Sequence, residues 1–178
     1  TWKKDEQLLA PWLEQHKNDW QLIIAPHEVD DEHIQQLQQC FSNAILFSQL
    51  TTNDLILSAY DCLLINSIGQ LSKLYKYATV CYVGGGFNKS GHHNILEAAV
   101  YGKAVITGPN FQKFKESVDL KSYGGSFTVS HADAFAQTIK EINFETSGKI
   151  AAAYVQQQSG ATQAIMNYIQ EKRLLTNA

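Results

Sequence analysis

Tyr82-Val83-Gly84-Gly85-Gly86-Phe87-Asn88-Lys89-Ser90-Gly91-His92-His93-Asn94-Ile95-Leu96-Glu97 is the stretch that decides the fold. The apolar residues 79–83 read as a strand, and an alanine-containing helical pattern opens at Asn94. A strand, a glycine-rich turn and a helix start, in that order, make a site for an anion. Glycine lets the backbone come close to a ligand, and the first N–H groups of a helix point at it. Phosphate is the anion that fits, so the pattern implies a phosphate-bearing, activated small molecule. The turn is not a P-loop, because Gly86-x-x-x-x-Gly91 is followed by His92 rather than by Lys and Ser or Thr. Nor is it the dinucleotide fingerprint, since Lys89 stands where the third glycine belongs. A tight turn with no ligand is the alternative.

Working outward, strand and helix signals alternate. Leu8, Leu9, Trp12 and Leu13 form one helical stripe. Residues 21–25 are a short apolar run stopped by Pro26, and 30–39 form a helix with acids in its first turn. Strands are predicted at 44–47, 61–65, 79–83, 104–107 and 126–129. Helices are predicted at 69–77, 94–101, 111–118, 131–142 and 148–175, with Gly102 ending the second of these. Leu71, Leu74, Ile165 and Ile169 are assigned to the core. Short buried strands alternating with helices indicate an α/β domain built on a doubly wound, mostly parallel, Rossmann-like sheet flanked by helices. Ligands on such sheets sit beyond the C-terminal strand ends. Three segments leave such ends: Pro26-His27-Glu28, Asn66-Ser67-Ile68-Gly69-Gln70 and the glycine turn. The fold is expected to bring them to one rim.

The composition suits a single globular domain: 178 residues, 44% apolar, 17% charged and a net charge of −3. With no basic cluster, nucleic acid is not expected as a partner. No apolar run approaches the roughly 20 residues of a membrane span. Cys40, Cys62 and Cys81 are odd in number and apolar in context, which predicts buried thiols rather than disulfides. The chain opens Thr1-Trp2-Lys3-Lys4-Asp5-Glu6, almost directly into a helical pattern, and is expected to be a piece from the C-terminal part of a longer protein.

Asn94 and Glu97 share a face of the first helical turn. They read either as a capping box or as ligand groups, with the Glu97 carboxylate accepting from a ribose diol and the Asn94 N–H assisting a phosphate. His93 is placed to donate to the same phosphate. Adjacent His92 and His93 diverge and lack a third ligand nearby, so no metal is expected there. The run His27-Glu28-Val29-Asp30-Asp31-Glu32-His33 looks metal-like but lacks His-Glu-x-x-His, and acids at a helix start are common. No nucleophile triad or Gly-x-Ser-x-Gly elbow is found.

Val83-Gly84-Gly85-Gly86, then His93-Asn94-Ile95-Leu96-Glu97-Ala98-Ala99, then Gly108-Pro109-Asn110 with Phe114, resembles the 3-deoxy-D-manno-octulosonic acid (Kdo) transferases of lipopolysaccharide synthesis. Asn66-Ser67-Ile68-Gly69-Gln70-Leu71 resembles their Asp-Thr-x-Gly-Glu-Leu. Pro26-His27 stands where they carry Pro-Arg, and Thr1-Trp2-Lys3-Lys4-Asp5-Glu6 is similar to the end of their Gly-Ser-Thr-x-x-x-Glu-Glu segment. The resemblance implies residues 1–178 as the C-terminal, donor-binding half of a two-domain GT-B glycosyltransferase. It also implies a CMP-Kdo donor, and a lipid A precursor acceptor held by an N-terminal half that supplies the glutamate base. The family's nucleotide contacts fall on Pro26, His27, Ile68, Gly69, Gln70, Asn94, Ile95, Leu96 and Glu97. Gly84, Gly85, Gly86 and His93 form the loop for the donor phosphate and sugar. No catalytic residue, metal or cofactor is implied within this chain. Location at the cytoplasmic face of the bacterial inner membrane, with membrane contact through the other half, is also implied. His27 for Arg removes a fixed charge and a bidentate donor, and Gln70 and Asn66 remove two acids. The rival readings are the donor half of a UDP-sugar transferase and a non-catalytic nucleotide-binding or interaction domain.

Overall fold

The computed structural model describes residues 1–50 and 59–172. The helix α1 (Lys3–His16) buries Leu8, Leu9, Trp12 and Leu13 on one stripe, as their spacing requires. It is followed by β1 (Leu22–Ile24), α2 (Asp31–Cys40), β2 (Ala44–Leu46) and β3 (Cys62–Leu64). Then come α3 (Leu71–Leu74), β4 (Val80–Val83), α4 (Leu96–Ala99), β5 (Ala104–Thr107) and α5 (Lys115–Tyr123). The chain continues with β6 (Ser126–Thr128), α6 (Ala132–Glu141), α7 (Phe144–Gln158) and α8 (Ala161–Glu171).

The strands form two three-stranded sheets, ordered β1-β3-β2 and β4-β5-β6, and every pairing is parallel. Alternate residues of β4 and β5 divide between two cores. Cys81, Val83 and Val105 pack with Ile95, Ala98, Ala99, Leu120, Ala151 and Tyr154 of the α4, α5 and α7 side. Ala104 and Ile106 join Leu9, Trp12, Leu37, Phe135 and Ile139 of the α1, α2 and α6 side. Helices on both faces of parallel strands are the doubly wound arrangement the alternation predicts. On one face α7 lies against the end of α4, where a Cβ on Gly148 would come within 2.0 Å of the Gly102 carbonyl oxygen.

Several boundaries differ from the sequence reading. Residues 111–114 are not helical: Phe114 is extended (φ −111°, ψ 111°), and α5 runs on to Gly124, a left-handed cap at φ +83°. The expected helix over 148–175 is two helices parted at Ser159 and Gly160, with Gly160 at φ +105°, and residues 173–175 lie outside the described ones. Leu71 and Ile165 are exposed and Leu74 and Ile169 only partly buried, so these four are not core. Among the described residues none of the four joins either buried cluster, and periodicity alone does not say which stripe finds a partner. Cys62 and Cys81 are buried, their thiols pushed up to about 12 by desolvation, whereas Cys40 is exposed.

Candidate functional site

The C-terminal ends of β1, β3 and β4 open on one cleft of about 840 Å³, whose lining includes Pro26, His27, Ile68, Gly69, Gly84 and His93. The three segments singled out in the sequence therefore meet at one rim. Gln70, Gly85, Gly86, Asn94, Ile95, Leu96 and Glu97 do not line the cleft. Ile68 is the most exposed large apolar side chain there, at 86%.

A turn that the sequence reading did not assign to the site organises this rim. Thr1 N donates to Ala25 O (2.7 Å), and His27 N donates to Thr1 O (2.9 Å). Asp5 is fully buried; its Oδ2 accepts from Trp2 N (2.9 Å) and Gly85 N (2.9 Å), and its Oδ1 from the Tyr82 hydroxyl (2.8 Å). Burial and the Asp5 carboxylate both push the Tyr82 phenol upward, so it stays a neutral donor. Glu6, also buried, accepts from Thr1 Oγ1 (3.0 Å) and pairs with His33 Nε2 (3.0 Å). Two consecutive acids three and four residues after Trp2 were the available signal. Solvated acids at a helix start look the same in sequence, and only burial separates them.

Trp2 also links the two imidazoles. Its Nε1–H donates to His93 Nε2 at 3.0 Å, and the two rings are nearly parallel, 3° apart with centroids at 6.1 Å. A hydrogen bond along parallel ring planes makes the pair a coplanar tile. His27 stacks on it, 4.1 Å from Trp2 and 4.9 Å from His93. Because an indole N–H only donates, neutral His93 carries its proton on Nδ1. Burial, then the neighbouring His27, holds the His93 imidazole below its ordinary range. His93 is thus a neutral group, with Nδ1–H the donor it can offer a phosphate.

The glycine turn differs from the expected anion cradle in three respects. First, the Gly85 N–H is spent on Asp5. Second, the absent side chains serve internal approaches: a Cβ on Gly84 would lie 2.6 Å from Asp5 Oδ2, and one on Gly86 would lie 2.5 Å from Gly108 N. Third, α4 is a single turn, so its dipole is far weaker than that of a full helix. The capping box is not formed either. Asn94 Oδ1 accepts from Leu96 N (3.0 Å), an Asx turn two residues on, and the Glu97 side chain is exposed. Ile95 is fully buried in the core, which removes its side chain from any ligand. His92 is buried too; its Nδ1–H donates to His93 O (2.6 Å), and its Nε2 accepts from Ser117 (2.8 Å).

Glu28, Asp30 and His33 stand close enough together to suggest a cation site. Asp30 caps α2 by accepting from His33 N, and both ring nitrogens of His33 are engaged, by Glu28 O and Glu6 Oε2. The group is an interlocked helix start. Among the described residues no helix is long and apolar enough to cross a membrane.

Comparison with known proteins points one way. No protein-family model matches the chain. It is 30% identical over 147 residues to the 3-deoxy-D-manno-octulosonic acid transferase of Rickettsia typhi, a match covering 80% of this chain and 31% of that protein. The enzymes of the same name from Chlamydophila psittaci (26% over 110 residues) and Aquifex aeolicus (31% over 83 residues) are also similar, over 61% and 46% of this chain and about a quarter of theirs. In fold the chain is similar to the C-terminal CMP-Kdo binding domain of WaaA from Acinetobacter baumannii. The TM-score is 0.66 at 24% identity, covering 85% of this chain and 81% of that domain. The chain spans about a third or less of the length of the curated relatives it matches. The sequence thus belongs with those of the Kdo transferases, of which it matches one segment on a domain of the WaaA C-terminal fold.

Proposed function

We propose that this chain is the donor-binding domain of a glycosyltransferase that moves Kdo from CMP-Kdo to a lipid A precursor. The observation that carries the reading is the 147-residue match to a Kdo transferase, which is long enough to take in the glycine turn and Glu97. In support, Pro26, His27, Ile68 and Gly69 share a rim with Gly84 and His93. An acceptor hydroxyl attacks the anomeric carbon of the donor, the bond from that carbon to the phosphate oxygen breaks, and CMP leaves with the electron pair. The hydroxyl proton goes to a base outside this chain, on the acceptor-binding half. Within this chain the Asn94 N–H and the His93 Nδ1–H meet the charge that gathers on the leaving phosphate. The exposed Glu97 carboxylate takes the ribose hydroxyls. The reading assigns no role to a metal or cofactor. Closure of the other half over the rim excludes water from the donor. It also places the full-length enzyme at the cytoplasmic face of the inner membrane.

Calorimetry on the 178-residue chain with CMP and with UDP tests this. CMP binding without measurable Kdo transfer is the expected result. A clear preference for UDP overturns the donor assignment, and binding of neither nucleotide favours a non-catalytic interaction domain.

A further inference from the structure

His92 is a buried imidazole to which the donor chemistry gives no part. It is 6% exposed and held at three points. Its Nδ1–H donates to His93 O (2.6 Å), Ser117 Oγ donates to its Nε2 (2.8 Å), and the Phe114 ring lies beside it, 4.6 Å between centroids and 35° from parallel. A carbonyl oxygen only accepts, so the proton sits on Nδ1, and the Ser117 hydroxyl turns to supply Nε2. Ser117 is itself 3% exposed. Both supports come from the start of α5, where Ser117 N donates back to Phe114 O (3.1 Å). The Phe114 ring also covers the Gly91 backbone so closely that a Cβ there would lie 2.4 Å from its Cε2. Gly91, at φ +91°, lets the turn pass that ring and carry the next side chain inward.

The carbonyl that His92 holds belongs to the same peptide unit as the Asn94 N–H. No peptide among the described residues is cis, and in a trans peptide the C=O and N–H point in opposite directions. With the oxygen turned to the buried ring, the Asn94 N–H is turned away from it. Among the described residues nothing accepts from that N–H, and no other donor reaches His93 O. Without the imidazole, that peptide plane is free to turn. The peptide before it is fixed separately, since His93 N donates to Gly84 O (3.0 Å). Trp2 holds the His93 ring and His92 the His93 carbonyl, so two braces aim the two donors of this segment. A backbone N–H that is unspent yet held in one direction needs no reorganisation when negative charge arrives.

We propose that His92 is a positioning residue for the donor phosphate: through Ser117 and Phe114 it ties the His93–Asn94 peptide to α5 and so presents the Asn94 N–H. This role rests on the donor-binding reading, in which that N–H meets the phosphate of CMP. His92 itself touches no ligand.

Two substitutions separate aim from packing. The amide nitrogen of asparagine is as many bonds from Cβ as Nδ1, so His92→Asn keeps a donor for His93 O and gives up Ser117. The amide of glutamine reaches as far as Nε2, so His92→Gln keeps Ser117 and leaves His93 O without its donor. CMP titrations of the 178-residue chain, followed by amide NMR, are the test. His92→Asn is expected to bind CMP within about threefold of the parent, and His92→Gln about tenfold or more weaker, the loss of one bond to a charged acceptor. The Asn94 amide proton is expected to move downfield at CMP saturation in the parent and in His92→Asn, and not in His92→Gln. A purely packing role predicts the reverse order, since glutamine is nearer to histidine in volume. Equal CMP affinity in the two variants, or that reverse order, overturns the proposal and leaves the donor reading standing. So does an Asn94 amide that stays put in a parent that binds CMP, a result that depends on no variant folding. A parent that does not bind CMP overturns the donor reading, and this role falls with it.

Discussion

Replacing Asp5 with alanine is expected to unfasten the rim at a cost that can be worked from its bonds. The carboxylate is fully buried and accepts from Trp2 N, Gly85 N and the Tyr82 hydroxyl. Leaving a buried donor unpaired costs about 1–3 kcal/mol. The bond from the Gly85 amide is buried, and those from the Tyr82 hydroxyl and the Trp2 amide are only partly so and add less. The sum is about 2–5 kcal/mol, a large share of the ~5–15 kcal/mol that holds a domain folded. Asp5→Asn is the informative companion. Both amides bond to the same oxygen, Oδ2, which the carboxamide oxygen can replace, and its NH₂ can then donate to the Tyr82 oxygen. Its expected cost is about 1 kcal/mol. Urea unfolding with equal m-values for the three proteins measures both, and at about 2–4 °C per kcal/mol Asp5→Ala should melt roughly 4–20 °C lower. An Asp5→Ala variant within about 0.5 kcal/mol of the parent would refute the reasoning, as would an Asp5→Asn variant no better than alanine.

His93 gives a pH signature. Its folded-state value lies below the ordinary 6.5, so the neutral ring is the stable form in the fold. The stability this contributes is present above pH 6.5 and is lost as pH falls through the lowered value. Unfolding midpoints at pH 8 and pH 5.5 should diverge in the parent and converge in His93→Gln, and equal slopes in the two would count against the assignment. Glu97→Ala separates fold from ligand. With an exposed side chain it should shift stability by no more than about 0.5 kcal/mol, while CMP affinity falls about tenfold or more through loss of a charged hydrogen bond. Unchanged CMP affinity would remove Glu97 from the site.

Much of the fold was legible because its causes are local. Apolar runs of three to five residues bounded by turn residues marked the six described strands, and the stripe Leu8, Leu9, Trp12, Leu13 marked α1. The meeting of the loops after β1 and β3 followed from topology, since parallel strands of one sheet put their C-terminal ends on one side, whereas the loop after β4, on the other sheet, is brought to them by tertiary packing. Helix limits were less legible. The break at Gly160 and the late start of α5 depend on how the chain packs, and a helical period does not report its partner.

What the amino-acid order alone determined was the parallel α/β plan, the rim and the family to which the motif points. These rest on periodicity and on residue types at fixed spacings. What only the tertiary structure decided was the use of the rim's groups. Asp5, eighty residues from Gly85, takes that amide, Trp2 joins His93, Gly84 and Gly86 make room for Asp5 and Gly108, and Ile95 turns inward. The physical reason is that hydrogen-bond partnership and burial are set by distances between segments remote in sequence. A carboxylate at a helix start looks the same in the sequence whether it faces water or closes a buried site.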